Sequence, residues 1–433
     1  MSYLTGFRCH RCGRLYPPGR LFLGCPGCAG DKPSNLIAEY DYEAIGKVFS
    51  RKALDHRPST MWRYREFLPV DEEHIVSISE GFTPLIACPN LGRRLGLSAL
   101  YVKDESRNPT WSFKDRMASA GVSSAVAMGS SVITAASSGN GGAAAAAYAA
   151  RAGLDAVIVT TPQFPLTMRT LMQSYGAKVV ATKTMRERWT IVRLGVEKYG
   201  WFPTQNFIDP PIGANPYALE GCKTMGYEIC EQLEWRLPDC VISPVGSGDS
   251  MVGIWQAFRE WLDLRIAAPG SRMPRLVAAE VFGSLQDALA RDLDHTEAMP
   301  TAPTVAVSVG VANSAYQSLR VLRETEGIAM TATDDEMLRM QAELASEEGI
   351  YSEASSVLTL AVAEKMVARG LLRGDEVVVA LLTSTGLKDP EATATRLRNI
   401  PIIEATEDDL ARVLRDQYGM ALAGSAASAT ARS

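Results

Sequence analysis

Short runs of apolar residues alternate with helix-length segments along most of the chain. An apolar run of this length, bounded by turn residues, is typical of a strand buried in a sheet. The runs predict strands at Ala99–Val102, Val132–Ala136, Ala156–Val159, Ala177–Ala181, Val241–Pro244, Leu276–Val281 and Glu376–Leu382. The other segments predict helices at Tyr42–Lys52, Gly141–Ala152, Leu166–Ser174, Asp249–Trp261 and Ser355–Arg369, and a last helix that begins at the capping box of Thr406 and Asp409. Strands that alternate with helices in this way predict βαβ units on parallel sheets.

The positions of these elements predict an α/β protein with two open parallel-sheet domains behind a small N-terminal ribbon. The ribbon is expected over residues 1–35. Residues 36–120 and 218–400 are expected to form the larger domain, and residues 121–217 a smaller α/β domain inserted into it. Residues 401–433 are predicted to hold one helix and then a disordered tail, because the last residues are rich in Ala and Ser.

The ribbon prediction depends on four of the eight cysteines. They form two C-x2-C pairs that are separated by twelve residues: Cys9, Cys12, Cys25 and Cys28. Two such pairs bring four thiolates within tetrahedral reach of one Zn²⁺. Because no ligand position is left open, the zinc is expected to be structural. A disulfide pair is the alternative, less suited to a reducing cytosol. The other four cysteines have no metal-ligand spacing and are expected to act as small hydrophobic residues.

Composition narrows the function classes. The 433 residues are 46% hydrophobic and 21% charged, which is typical of a globular protein, and the formal net charge is −5. Residues 1–65 are basic, with 11 Lys and Arg against 5 Asp and Glu, but this charge alone does not indicate a nucleic-acid site. The N-terminus is polar, which argues against a signal peptide. The longest apolar tract, Val132–Thr160, is interrupted by polar residues, which argues against a membrane span. A cytoplasmic protein is therefore expected.

The first candidate for chemistry is Lys114, in the stretch N-P-T-W-S-F-K-D-R from Asn108 to Arg116. The Asn-Pro pair is expected to close a turn, and Ser112 to cap a helix that begins near Phe113. Lys114 then lies in the first helical turn, where the helix dipole disfavours the protonated amine. The free amine is the form that attacks an aldehyde, so the motif favours imine chemistry. A solvated lysine at a helix start is the alternative for this motif alone.

Two glycine-rich loops follow predicted strands and open predicted helices, which is where open α/β sheets bind ligands. The first loop contains five candidate substrate-binding residues: Ser137, Ser138, Gly139, Asn140 and Gly141. Its backbone N–H groups and two hydroxyls suit a carboxylate, and the Asn140 amide can bind a phenolate or carbonyl oxygen. A glycine-rich turn without a ligand is the alternative for this loop by itself.

The second loop contains five residues that suit a phosphate: Gly246, Ser247, Gly248, Asp249 and Ser250. It lacks the lysine of a P-loop and the glycine spacing of a dinucleotide site, and Asp249 is expected to point away from the phosphate. Thr383 follows the last predicted strand, where its hydroxyl could face a ligand or simply cap a turn. None of the four histidines lies in these motifs, so a histidine-based catalytic site is not expected. A lysine, an amide, a carboxylate loop and a phosphate loop together indicate a pyridoxal phosphate (PLP) pocket.

Seven motifs follow one another in a fixed order along residues 5–395: W-R-Y-R-E (Trp62–Glu66), E-G-F-T-P-L (Glu80–Leu85), the lysine stretch, S-S-G-N-G-G (Ser137–Gly142), N-P-Y-A-L-E-G (Asn215–Gly221), P-V-G-S-G-D-S (Pro244–Ser250) and T-S-T-G-L-K-D (Thr383–Asp389). In these motifs the chain resembles the threonine synthase-like family of fold-type II PLP enzymes, within the tryptophan synthase β superfamily. This resemblance implies that Lys114 bonds to the cofactor, that Asn140 contacts its 3′-oxygen and that Thr383 faces its pyridine nitrogen. It also implies that Gly246–Ser250 holds the cofactor phosphate and Ser137–Gly141 the substrate carboxylate. A ribbon recurs in that family, and a homodimer is implied with it.

The chain departs from the family pattern where that family binds the phosphate of O-phosphohomoserine. Ile212, Gly213 and Ala218 stand where the family has asparagine, serine and arginine. Loss of the arginine removes the strongest phosphate ligand, and a dianion without donors would be desolvated at a cost of several kcal/mol. In addition, Gly141 replaces a threonine, and Trp111 replaces a glycine close to the lysine.

We therefore expect a PLP-dependent lyase that performs β-elimination or β-replacement on a small amino acid other than O-phosphohomoserine. Lys114, once displaced by the substrate, would be the base for the Cα proton. One alternative is a true threonine synthase whose phosphate ligands come from elsewhere, with Lys223 as a candidate. The other is a non-catalytic PLP-binding or nucleic-acid-contacting protein. No membrane partner is expected, and nucleic acid is not favoured.

Overall fold

The computed structural model describes residues 2–30 and 32–422, so the end of the predicted disordered tail, residues 423–433, lies outside the described residues. The described residues up to Asp389 form one compact unit, and those from Pro390 onward form a second. The strands are β1 Leu4–Cys9, β2 Leu15–Tyr16, β3 Leu36–Tyr40, β4 Leu85–Ala87, β5 Ala99–Asp104, β6 Val132–Ala136, β7 Asp155–Thr160, β8 Lys178–Ala181, β9 Phe202–Pro203, β10 Cys240–Pro244, β11 Arg275–Glu280, β12 Ile328–Thr331 and β13 Val377–Leu382.

The α-helices are α1 Tyr42–Val48, α2 Pro89–Leu95, α3 Lys114–Ala127, α4 Asn140–Ala152, α5 Leu166–Ser174, α6 Met185–Tyr199, α7 Pro216–Gln232, α8 Asp249–Asp263, α9 Ser284–Ala290, α10 Tyr316–Glu324, α11 Asp334–Glu348, α12 Ala354–Ala368, α13 Glu391–Ala394 and α14 Glu407–Tyr418. Short 3-10 helices lie at Pro26–Cys28, Arg51–His56, Met61–Phe67, Glu72–His74, Glu105–Arg107 and Gly386–Lys388. Among the described residues, none of the helices combines the length and apolarity that a bilayer crossing requires.

The strands form three sheets. The ribbon sheet is antiparallel, in the order β2-β1-β3. A six-stranded sheet has the order β12-β11-β10-β13-β5-β4, and a four-stranded sheet has the order β8-β7-β6-β9. All neighbouring strands in the two larger sheets are parallel, except the edge pair β4 and β5. The predicted α/β fold with two open parallel sheets behind a ribbon is therefore confirmed.

The observed elements differ from the predicted ones at several places. Helices α2, α6, α7, α9, α10, α11 and α13 and strands β4, β9 and β12 were not predicted. Helix α1 ends at Val48, earlier than predicted, because Ser50 caps a separate 3-10 helix by accepting a hydrogen bond from the Ala53 N–H. Helix α7 has polar residues at helical spacing, including Glu220, Thr224 and Glu228, but these side chains are buried rather than exposed to solvent. Strand β3 pairs with β1 and completes the ribbon sheet, although it follows the predicted end of the ribbon. The boundaries of the two α/β domains remain a prediction.

Helix α3 is fixed against α7 by buried ion pairs. Arg116 binds Glu105 at 2.7 Å and Glu228 at 2.5 Å, and Lys103 binds Glu228 at 2.6 Å, with all four side chains fully buried. Burial acts to raise the pKa of Glu228, but the two cations outweigh it and lower that pKa to about 2. A buried charge is costly to leave unpaired, so these pairs hold the first turn of α3, and Lys114 with it, in one position.

Candidate active site

The lysine stretch forms a tight turn that leads directly into α3. The helix begins at Lys114, and its N-cap is Phe113, which makes no side-chain cap. The prediction that Ser112 caps the helix is wrong, because its buried hydroxyl has no hydrogen-bond partner within the described part of the chain. Ser112 instead forms an isolated β-bridge with Ser384, which sets its backbone. The Lys114 amine lies 3.4 Å from the Met117 sulfur and 4.5 Å from the centre of the Phe113 ring.

The turn is held by a buried carboxylate and contains a strained residue. Asp115 accepts hydrogen bonds from the Thr110 N–H at 2.9 Å and the Thr110 hydroxyl at 2.8 Å. Burial raises the pKa of Asp115 to about 7, against the lowering effect of these two bonds. Trp111 has a φ of 61°, in the left-handed region that bulky side chains rarely adopt. Strain of this kind clusters at functional sites, so its position beside Lys114 suits an active-site turn.

Asn140 contacts the segment that follows β13 and the residue before α12. Its Oδ1 accepts a hydrogen bond from Lys388 Nζ at 2.6 Å, and its Nδ2 donates to Glu353 Oε2 at 3.3 Å. The hydroxyl of Thr383 donates to Glu353 Oε1 at 3.3 Å. The carbonyl of Thr383 accepts from the N–H of the residue before Lys114 at 3.1 Å. Lys114, Asn140 and Thr383 are thus brought to one place in the fold.

Sequence analysis did not identify Glu353 and Lys388 as residues of this site. Burial raises the pKa of Glu353, although the nearby Lys388 ammonium opposes that rise. Burial also lowers the pKa of Lys388 to about 8, against the attraction of Glu353 and Asp115. Lys388 lies in the T-S-T-G-L-K-D motif, and this was the available signal. Glu353 precedes a predicted helix without any motif of its own.

The carboxylate loop joins β6 to α4 and takes contacts from two other segments. The Ser138 hydroxyl accepts hydrogen bonds from Thr160 Oγ1 at 2.8 Å and from Arg188 Nη1 at 2.9 Å. A Cβ on Gly141 would lie 2.7 Å from Gln205 Cδ, so the Gln205 side chain fills the space that a larger residue would need. Arg188 and Gln205 were missed because each lies far from the loop in sequence and carries no motif.

The phosphate loop, Gly246–Ser250, joins β10 to α8. Gly248 has a φ of 97°, and a Cβ there would lie 1.8 Å from Ser318 Oγ, so this position requires glycine. The first N–H groups of α8 have no intrahelical acceptors, which makes this end suited to an anion. The Ser250 hydroxyl lies 2.9 Å from the Ser243 hydroxyl.

The acid of the phosphate loop is turned toward the segment before α7. Asp249 Oδ2 accepts from the Ser247 hydroxyl at 2.9 Å, and its Oδ1 accepts from the Ala214 N–H at 3.1 Å. Burial raises the pKa of Cys222, whose thiol interacts electrostatically with both Asp249 and Lys114.

The three positions expected to face a substrate phosphate, Ile212, Gly213 and Ala218, carry no cation. The Ile212 side chain packs toward the ribbon, where a Cβ on Gly24 would lie 2.8 Å from its Cδ1. A Cβ on Gly213 would lie 2.3 Å from Asp249 Oδ1, so a carboxylate faces this residue. Ala218 is fully buried against α3, with its Cβ 3.2 Å from the position that a Cβ on residue 121 would take.

Lys223 does not replace the missing arginine. Its ammonium is fully buried and binds Glu220 at 2.6 Å and Glu260 at 3.0 Å. The hypothesis that Lys223 supplies a phosphate ligand is wrong, because both carboxylates neutralise it inside the core.

The four ribbon cysteines lie together. Their sulfurs are all within 4.8 Å of one another, with 3.7 Å between Cys9 and Cys28 and 3.7 Å between Cys12 and Cys25. Four sulfurs bound to zinc at about 2.3 Å would lie about 3.8 Å apart at the corners of a tetrahedron. Burial acts to raise the pKa of Cys9, but N–H groups of Cys12 and Arg11 outweigh it and lower that pKa to about 7. Burial raises the pKa of Cys25 and of Cys28, so the spacing of the sulfurs is the observation that suits a tetrahedral metal.

Comparison with known proteins identifies the family. The model of the family described as "Pyridoxal-phosphate dependent enzyme" matches residues 76–384, which include the lysine turn, both loops and Thr383. The chain belongs to this family. Threonine synthase of Methanocaldococcus jannaschii is 36% identical to it over 417 residues, which are 94% of this chain and 99% of that protein. Threonine synthase of Methanosarcina acetivorans is 33% identical over 408 residues, 93% of this chain and 96% of that protein. The chain is thus a PLP-dependent enzyme of the threonine synthase-like family.

Solved structures agree with the predicted fold type. O-ureido-L-serine synthase is 26% identical with a TM-score of 0.60, covering 77% of this chain and 98% of that chain. Maize serine racemase has a TM-score of 0.61 at 20% identity, covering 72% of this chain and 91% of that chain. At this low identity the racemase supports the fold alone.

Proposed function

We propose that this enzyme performs β-elimination or β-replacement on a small amino acid whose leaving group is not a phosphate. Lys114 would bond to the cofactor aldehyde, Asn140 would donate to the 3′-oxygen, and Thr383 would face the pyridine nitrogen. Gly246–Ser250 would hold the cofactor phosphate, and Ser137–Gly141 the substrate carboxylate. Each of these roles rests on the family motif that the residue occupies.

Several features of the site support the fit of PLP to these residues. The Lys114 amine has no carboxylate within ion-pair distance among residues 2–30 and 32–422, so it is available for bonding. The left-handed Gly248 exposes the first turn of α8 to an anion. The buried, unpartnered hydroxyl of Ser112 leaves a polar group in the turn for a ligand to satisfy.

The residues around the cofactor would then divide the chemistry. Bound PLP supplies the electron sink for bond cleavage at the substrate α-carbon. Thr383 offers the pyridine nitrogen a hydroxyl rather than a carboxylate, which keeps that sink weak and favours rapid loss of a leaving group. Lys114 Nζ is the base that takes the Cα proton. Glu353 fixes the positions of the Asn140 and Thr383 side chains relative to each other, because it is hydrogen-bonded to both.

The proposal that the leaving group is not a phosphate rests on the position of the Asp249 carboxylate. This carboxylate faces Gly213, in the segment where the resembling family binds a substrate phosphate, and Ala218 offers no cation there. Two like unit charges 4 Å apart repel by about 4 kcal/mol at an effective dielectric constant of 20. A phosphate leaving group in this position would meet that repulsion without a compensating arginine.

The assay compares O-phospho-L-homoserine with a panel of unphosphorylated amino acids that bear hydroxyl, acyloxy, amino or sulfur leaving groups. Released phosphate, threonine and 2-oxo acid are measured for each. We expect turnover with at least one panel member, and no threonine from O-phospho-L-homoserine. Lys114→Ala should lose the absorbance of the lysine-bonded cofactor and all turnover, whereas Lys183→Ala, at an exposed lysine, should keep both. Formation of threonine and phosphate at the higher rate would reject the proposal.

A second candidate function is threonine synthesis from O-phosphohomoserine. The observation that favours it is the name of the two relatives above, which align with nearly the whole chain. The same assay distinguishes the two functions by product.

We also propose that the four cysteines bind one structural Zn²⁺, and that the protein is a cytoplasmic homodimer. The sulfur spacing supports the zinc site. The proposals of a homodimer and of a cytoplasmic location rest on family membership alone. Metal analysis of the purified enzyme tests the zinc site, and sedimentation tests the homodimer. One zinc per chain that a chelator removes with a fall in Tm is expected; a metal-free ribbon with unchanged Tm would reject the site.

A further inference from the structure

Arg188 is a buried cation without a counter-charge. It lies in the first turns of α6 and is only 8% exposed. Its Nε is buried without a hydrogen-bond partner, and no carboxylate of the described residues lies within ion-pair distance. Burial lowers the pKa of Arg188, and no acid opposes that effect. By contrast, the neighbouring Arg186 is exposed and binds Asp209 at 2.7 Å.

Burying the Arg188 guanidinium without a counter-charge does not stabilise the fold. Desolvation of a guanidinium is expensive unless an anion and further hydrogen bonds compensate. An unpaired arginine that is nevertheless buried therefore indicates a ligand that brings the missing negative charge.

Among residues 2–30 and 32–422, the one hydrogen bond of the Arg188 guanidinium leads to the carboxylate loop. Arg188 Nη1 donates to Ser138 Oγ at 2.9 Å, and Thr160 Oγ1 donates to the same oxygen at 2.8 Å. A serine hydroxyl has two acceptor lone pairs and one proton, so both lone pairs are filled. The remaining polar neighbour of this hydroxyl, Thr161 Oγ1, lies at the long distance of 3.5 Å. The Ser138 proton is therefore free to be donated to an anion in the loop.

We infer that Arg188 determines specificity for a carboxylate: it fixes Ser138 as a donor and supplies the positive charge of the subsite that takes the substrate's α-carboxylate. This inference rests on the proposed function, which assigns the carboxylate to Ser137–Gly141. The loop by itself offers only neutral hydrogen-bond donors. The positive charge of Arg188 is therefore what makes the subsite bind an amino acid more tightly than its neutral amide. It acts through Ser138 and is thus a positioning residue.

The test uses holoenzyme of the wild type, Arg188→Met and Arg188→Lys, with Arg186→Met as the matched control on the same helix. L-serine, L-threonine and L-homoserine are each titrated against the corresponding amide, and binding is followed by the change in cofactor absorbance. Wild type and Arg186→Met should prefer the acids. In Arg188→Met the ratio of affinity for the acid to affinity for the amide should fall about ten- to a hundredfold, which is the effect of one charge-assisted contact. Arg188→Lys should keep part of this ratio. The same enzymes are melted without amino acid, and Arg188→Met should have an equal or higher Tm, since it removes an uncompensated buried charge.

Two results would overturn the inference. One is a wild type that binds acids and amides equally, or binds none of the acids. The other is an Arg188→Met enzyme with unchanged preference, including the case in which its Tm falls, because that pattern describes a structural arginine. Failure of the proposed function is distinguishable, since it appears as turnover that survives in Lys114→Ala, or as threonine and phosphate formed from O-phospho-L-homoserine at the higher rate.

Discussion

Replacement of Gly248 by alanine tests whether the loop before α8 holds the cofactor phosphate. Gly248 has a φ of 97°, where an L-residue is strained by roughly 1–2 kcal/mol. The new Cβ would also lie 1.8 Å from Ser318 Oγ and 2.8 Å from Ser318 Cβ. Rotation of the hydroxyl cannot relieve the second contact, so the loop or α10 must move. That movement breaks the hydrogen bond from Ser318 Oγ to the Ser247 carbonyl, now 2.8 Å long, which adds about 1 kcal/mol.

The displaced loop should bind phosphate less well. Loss of one charge-assisted N–H contact costs about 1.5–3 kcal/mol, so the Kd for PLP should rise by about ten- to a hundredfold. Apoenzyme is titrated with PLP and followed by absorbance, and urea unfolding measures the free energy of unfolding. We expect the Gly248→Ala enzyme to lose about 2–3 kcal/mol of stability as well.

A matched glycine separates strain from collision. Gly270 has a φ of 85° but nothing within 4 Å of a Cβ, so Gly270→Ala carries the backbone strain alone. It should lose about 1–2 kcal/mol of stability and keep the wild-type Kd for PLP. The double variant Gly248→Ala, Ser318→Gly should recover part of the affinity, because both colliding atoms are gone. Equal PLP affinity in the Gly248 and Gly270 variants would refute the assignment of this loop.

Three further predictions concern charged groups. Asp249→Asn should lower the Kd for PLP severalfold, because it removes a negative charge beside the phosphate loop while keeping the Ala214 contact; an unchanged or higher Kd in the PLP titration would contradict this. Lys388 has a pKa lowered by burial to about 8, from 10.5, so the unfolded chain binds the extra proton between these values. The free energy of unfolding of the wild type, measured with urea, should therefore rise from pH 8 to pH 10.5 relative to that of Lys388→Met. If the two proteins instead show parallel profiles of this free energy against pH, the prediction is wrong. Lys223→Met should cost about 3–5 kcal/mol in urea unfolding, because two carboxylates remain buried without their cation, and a loss below 1 kcal/mol would argue against a buried network.

Much of the fold was predictable because its signals are local. Each buried parallel strand is a short apolar run, and each glycine-rich loop after such a run indicates a ligand-binding edge. Predictions that depended on a partner elsewhere in the chain were less successful. Ser112 has the residue type of a helix cap, yet a bridge to Ser384 sets its backbone, and that contact spans most of the chain. Helix α7 carries Glu220, Thr224 and Glu228 at helical spacing, yet all three are buried, and only the tertiary structure shows that this polar stripe does not face solvent.

The sequence by itself determined the fold type, the family and the candidate anchor Lys114, because these depend on residue order within short segments. Only the tertiary structure decided what surrounds that lysine. Arg188 reaches Ser138, and Glu353 reaches Asn140, because the order of strands in the two sheets brings separate segments to one edge. Hydrogen bonds and unpaired charges depend on distances of a few ångströms between such segments, and no local pattern encodes those distances. The lysine was therefore predictable from its motif, whereas the cation that we assign to the substrate carboxylate was not.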